Sequence, residues 1–181
     1  CLLAVSLLNL NRINFLHLSS LKHCSTQLLI EPSPNCLSSF TFTVPGKPAP
    51  QGSKRHVGKG VMIESSIRCK PWRQDCRHIA MELLPEGWYA MMGKAIRMDA
   101  IFVFNRPKAH YRTNGELKPS APEHCTGRIG DLSKLVRAVE DALTGVVYDD
   151  DAQIVHLNST RRYVSGNHEH PCAIITITAI S

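Results

Sequence analysis

The stretch from Gly130 to Ile154 reads GDLSKLVRAVEDALTGVVYDDDAQI. Its middle predicts a helix over about Lys134 to Thr144. Leu135, Val136, Val139, Ala142 and Leu143 recur at helical spacing as one apolar stripe, and Gly145 stops the run. Asp131 stands just before this helix, and Asp149, Asp150 and Asp151 stand just after it. Asp131 and Ser133 are two apart. They share a side only if that stretch is extended, because successive helical residues advance about 100°. The expected helix therefore starts near Lys134, with Ser133 as its N-cap. Consecutive carboxylates repel one another unless solvated or neutralised by a cation. Acid oxygens converging from separate elements are how proteins hold Mg2+, which keeps several waters and takes further oxygens from phosphate. A helix N-terminus also favours a phosphate.

Outward from this segment the chain alternates short strands with helices. Phe40–Val44 (FTFTV) alternates aromatic or β-branched residues with Thr, a strand pattern. Pro45–Gly60, punctuated by Pro and Gly, reads as a basic loop, and Val61–Ser65 as a short strand. Pro71 to Leu84 reads as a helix, with Pro71 at its first position and Trp72, Cys76, Ile79, Ala80 and Leu83 at helical spacing. Ala95–Phe104 alternates as a strand, Arg106–Arg128 is a long basic loop, and Gln153–Val164 and Cys172–Ile180 close the chain as two strands. The order β-β-α-β-α-β-β predicts an α+β fold: a small mixed sheet with two main helices packed on one side. Trp72 and Trp88 are expected core anchors, and Cys69 and Cys76 buried thiols.

Residues 1–38 differ from the rest: rich in Leu, Ser and Asn, charged only at Arg12, Lys22 and Glu31, and without Met, the first of which is Met62. They are read as an atypical leader, untranslated or disordered, with a helical extension as the alternative; residues 39–181 form the domain.

Of the 181 residues, 43% are hydrophobic and 20% charged, which excludes wholesale disorder. No uninterrupted apolar run reaches the roughly 18 residues a membrane helix needs, so no membrane partner is expected. Seven Cys, odd in number and without a C-x-x-C, exclude a disulfide framework and fit a reducing, cytoplasmic setting. His168, His170 and Cys172 have the spacing of ligands on a strand, but no second pair completes a zinc site. A net charge of +6 favours an anionic partner, nucleic acid first. Eight cations between Gly46 and His78, among them Lys54, Arg55, Lys59, Lys70 and Arg73, face only Glu64 and Asp75. They read either as a phosphate-tracking surface or as an ordinary basic face. On the helix, Lys134 and Arg137 lie one turn apart, and Arg137 is four residues from Asp141, the spacing of a solvated ion pair.

Taken in order, these motifs resemble the signature of the RusA-type Holliday junction resolvases, crossover-junction endodeoxyribonucleases of phage and bacteria. Asp131 matches the first acid of an Asp-x-Asp, Lys134 the Asn or Lys after it, and Arg137 the basic position. Asp141-Ala142-Leu143 matches the helical triplet, and Asp150, Asp151 and Gln153 match an Asp-Asp-x-Gln. PGKPAPQGSKR (Pro45–Arg55), ESS (Glu64–Ser66) and KPWR (Lys70–Arg73) resemble the amino-terminal half of phage members. The resemblance runs from about Phe40 to Ser181. It implies an Mg2+-dependent endodeoxyribonuclease, working in a bacterial or phage-infected cell, that resolves four-way junctions by paired symmetric nicks. It also implies a two-fold homodimer. Asp131, Asp150 and Asp151 would hold the metal, with Lys134 and Arg137 on the phosphate and Lys54, Arg55, Lys59, Lys70 and Arg73 on DNA. One position departs from the pattern: the second acid of Asp-x-Asp is Ser133, a neutral and weaker ligand. Asp149 or Glu64 could replace it, or the chain could bind junctions with weak or no nuclease activity.

Overall fold

The computed structural model describes residues 39–52, 54–64, 66–88, 92–127, 129–166 and 168–180. The expected leader, residues 1–38, lies outside the described residues. A four-stranded sheet has the order β1-β6-β4-β5, built from β1 (Ser39–Pro45), β4 (Ala95–Phe104), β5 (Ile154–Tyr163) and β6 (Cys172–Ile180). β6 pairs antiparallel with β1 and β4, while β4 and β5 run parallel, so the sheet is mixed as expected. The helices are α1 (Cys69–Leu83) and α2 (Leu132–Leu143).

Alternation decides which face is covered. Ile96, Met98, Ala100, Phe102 and Phe104 of β4 are buried, as are Ala173, Ile175, Ile177 and Ala179 of β6. Their odd-and-even counterparts Arg97, Thr176 and Thr178 lie on the opposite, solvated face, where Ser39 and Thr41 exchange hydroxyl hydrogen bonds with Thr178 and Thr176. The α2 stripe of Leu135, Val136, Val139, Ala142 and Leu143 is buried in the same core, together with Trp72, Cys76 and Ala80 of α1. One apolar face thus takes both helices. Each fully buried Ile or Leu contributes roughly 1.5–3 kcal/mol relative to an exposed one. Trp72 and Trp88 are core anchors as read; the Trp88 indole donates to Val147 O at 2.9 Å. Burial pushes the Cys76 thiol up to about 12, which keeps it protonated and inert.

Three boundaries depart from the expectation. Pro71 is the third residue of α1, not the first; it costs nothing there, because the first four N–H groups of a helix have no intrahelical partner. The basic loop contains a strand: β2 (Lys54–His56) pairs antiparallel with β3 (Met62–Glu64) in a separate two-stranded ribbon. α2 begins at Leu132, with Asp131 at the N-cap in extended backbone, so Ser133 is the second helical residue and not the cap.

Candidate functional site

The early start of α2 has a long-range cause. Gly130 has φ +124°, and a Cβ there would lie 2.6 Å from Pro50 Cγ, so only glycine lets the loop after β1 pack this closely. The next residue in that loop, Gln51, donates its backbone N–H to Lys134 O at 2.9 Å. That N–H is thereby committed to the helix. From the other side Arg161 of β5 donates to Gly130 O. The chain around Asp131 is thus held by two distant segments, the loop after β1 and β5. The Asp131 side chain makes no capping hydrogen bond and instead pairs with Lys134, Nζ to Oδ2 3.1 Å.

The acidic turn after α2 divides its work. Asp150 accepts from Ala152 N–H at 2.8 Å and heads a one-turn 3-10 helix over Asp151–Gln153. Gln153 closes the reciprocal half: its Oε1 accepts from the N–H groups of Asp149 (2.7 Å) and Asp150 (3.0 Å), and its Nε2 donates to Lys94 O at 2.8 Å. The Asp-Asp-x-Gln spacing is therefore a capping box. It fixes Asp151 at the mouth of β5, exposed, with its main-chain oxygen accepting from Ile154 N–H and its carboxylate in no hydrogen bond or ion pair among the described residues.

Asp151 lies beside a residue that the sequence reading passed over, Glu140. Burial raises the Glu140 carboxyl above its ordinary range, the charges of Asp151 and Asp141 raise it further, and Arg137 pulls it back. Ser133, Arg137 and Glu140 are spaced i, i+4 and i+7, which puts them along one face of α2. The signal was present as that spacing, but inside a helix Glu140 looked like any solvated acid. The expected Arg137–Asp141 pair does not form. Asp141 is taken instead by Arg73 of α1, Nη1 to Oδ2 3.3 Å.

Glu140, one turn from Arg137 on α2, feels the charge of Asp151, and Asp131 is paired separately with Lys134. The structure does not bring Asp131, Asp150 and Asp151 together as a metal cage: among the described residues no three His, Cys, Asp or Glu side chains are grouped to hold an ion. The reason is local, since Asp131 turns to Lys134 and Asp150 turns back onto its own loop. Asp149, the first proposed replacement for the missing acid, is exposed on the same turn, and the side chain of Glu64, the second, lies outside the described residues.

Of the expected DNA contacts, Lys70 and Arg73 line a groove of about 460 Å3 between α1 and α2, with Gln74, Arg77 and Asp141. Lys59 stands at the tip of the β2–β3 ribbon, and Lys54 and Arg55 belong to β2. The cations are therefore split between a helix groove and the separate β2–β3 ribbon.

The family model Endodeoxyribonuclease RusA matches residues 45–178. The chain belongs to the RusA family. It is also similar to the uncharacterized protein YqaN of Bacillus subtilis (strain 168), at 28% identity over 153 residues, covering 80% of this chain and 99% of that protein. RusA members are Holliday junction resolvases, nucleases that act on branched DNA, and are generally dependent on a divalent metal.

Proposed function

We propose that this RusA protein resolves four-way junctions by paired symmetric nicks, with Mg2+ as its ion, working as a two-fold homodimer. The observation that supports the reading is that Glu140, one turn from Arg137 on α2, feels the charge of Asp151, which links the helical and Asp-Asp-x-Gln parts of the motif. Asp151 is the open carboxylate for an ion that retains most of its waters and takes phosphate oxygens, as Mg2+ does. Arg137 is placed to hold the phosphate and to offset charge that grows on it during in-line attack. Lys134 adds a cation where the helix N-terminus already favours an anion. Lys70 and Arg73 in the helix groove, and Lys54, Arg55 and Lys59 on the ribbon, would follow the backbone away from the cut. Two symmetric cuts need two copies of the site, hence the dimer.

A second reading stands on Ser133. With a hydroxyl in the family's second acid position, Asp131 paired and Asp150 used as a cap, the chain would bind junctions and cut weakly or not at all. One experiment separates the two. A labelled four-way junction is incubated with the protein and Mg2+, then scored for symmetric nicks and for a gel shift. Nicks at paired positions are the expected result; a shift without nicks selects the second reading, and neither signal at low salt refutes both.

A further inference from the structure

We infer that the β2–β3 ribbon is a wedge that enters the branch point of junction DNA, a role that rests on the proposed function. The ribbon is a sheet of its own. Its turn is tight: Val57 N–H donates to Val61 O and Val61 N–H to Gly58 O, each at 2.9 Å. Gly58, Lys59 and Gly60 all take positive φ (+96°, +48° and +75°), so the chain reverses within three residues. Gly60 N–H donates to His56 Nε2 at 3.1 Å, bracing the turn against its own strand. The tip is therefore narrow and held in shape.

Its chemistry is mixed in a particular way. Val57 and Val61, bonded across the turn, are 49% and 51% exposed, and Met62 at the start of β3 is 52% exposed. A single exposed Val needs no explanation, but exposed apolar residues gathered at the end of a separate two-stranded ribbon do. Lys54, Arg55 and Lys59 accompany them, against Glu64 alone. Like-charged arms suit a polyanion and oppose pairing with a second copy of the same ribbon. Apolar side chains flanked by cations are how DNA-bending proteins open a base step: the cations hold the phosphates while the apolar tip replaces lost stacking. A branch point is where this costs least, because stacking is already interrupted there.

The test uses a four-way junction carrying 2-aminopurine beside the branch point, with chelator present so that the strands stay intact. The full chain should raise the fluorescence on binding, at least about threefold. Val57→Ser with Val61→Ser should abolish most of that rise and lower junction affinity about tenfold, while affinity for plain duplex stays within about twofold. Lys59→Gly, which removes a charge and relaxes a left-handed residue, should weaken binding to every DNA shape yet leave the rise at saturation intact. An unchanged rise in the double Ser variant overturns the wedge, and more decisively if sedimentation shows that variant to have lost dimers, which would make the tip a contact between copies. A parent chain that binds no DNA at low salt would instead remove the proposed function beneath it.

Discussion

Arg73 of α1 reaches Asp141 of α2 twice, with Nη1 3.3 Å from the carboxylate and Nη2 3.4 Å from the main-chain oxygen. This contact joins the Lys-Pro-Trp-Arg and Asp-Ala-Leu motifs, which are 68 residues apart in the chain. Arg77 continues it, donating to Thr144 O at 3.3 Å. Two cations of the basic groove thus also tie the helices together. Both side chains of the pair are partly exposed, so a double-mutant cycle of Arg73→Ala and Asp141→Ala should give a coupling of only about 0.5–1 kcal/mol in urea unfolding. DNA affinity should fall for Arg73→Ala and not for Asp141→Ala. Equal losses from both would show that Arg73 acts through helix packing alone.

The two adjacent acids Asp150 and Asp151 should separate cleanly. Asp150→Asn keeps a side-chain oxygen for Ala152 N–H, so capping, stability and cleavage should stay near parent values; Asp150→Ala should cost about 1 kcal/mol. Asp151→Asn should abolish cleavage with junction binding retained. If Asp150→Asn is as inactive as Asp151→Asn, the cap is not the role of Asp150.

Ser133 sits on the α2 face that carries Arg137 and Glu140. Ser133→Asp adds a carboxylate there, favourable to the helix N-terminus by a few tenths of a kcal/mol. It should lower the Mg2+ concentration giving half-maximal cleavage. An unchanged or raised requirement, with loss of cleavage in Glu140→Gln, would show that Glu140 already fills the vacancy.

The connection between β5 and β6 should respond to acid. Hydrogen bonds from Arg162, then from Ser165 N–H, hold the Glu169 carboxyl at about 2, below its ordinary 4.5. The unfolded chain then binds the extra proton between those values, so the stabilisation is complete above about pH 4.5 and is lost as pH falls toward 2. Denaturant melts of Glu169→Gln should lie below the parent at pH 7 and converge on it near pH 2–3. A constant gap across that range would exclude the linkage.

Gly130→Ala places a methyl against Pro50 at a backbone angle that suits glycine. Strain of about 1–3 kcal/mol is expected, seen as a lower melting temperature, together with reduced cleavage because Asp131 is the next residue. Unaltered cleavage in a destabilised variant would show that Asp131 tolerates the shift.

Strands with long, regular alternation were legible: β4 and β6 begin and end where their period-two patterns do, because one covered face imposes that period over nine or ten residues. Of the ribbon, β3 was legible as the short strand Val61–Ser65, but β2 was not, since three residues beside the turn glycines Gly58 and Gly60 show no period and read as loop. The start of α2 was misplaced for a different reason. Pro50, Gln51 and Arg161 fix it from far away in sequence, and Ser133 looked as good a cap as Asp131. The Asp150–Gln153 spacing carried its own capping signature in plain view, and the chemistry of consecutive acids drew attention from it. Glu140 needed the sheet as well as the helix, because its partner Asp151 arrives with the loop into β5.

The placement of β6 bears on how the domain comes into being. The last strand in chain order lies between β1 and β4, with Thr178 opposite both Ser39 and Arg97. No sheet wider than β4–β5 exists until the residues up to Ile180 have been synthesised, and closure then spans nearly the whole domain, a slow step by topology. Meanwhile Phe42 and Val44 have no neighbouring strand, the condition in which nascent chains associate with one another. Loss of β6 would not shave an edge from this sheet; it would part β1 from β4–β5 and leave two apolar halves, so both pairings of the domain depend on one strand.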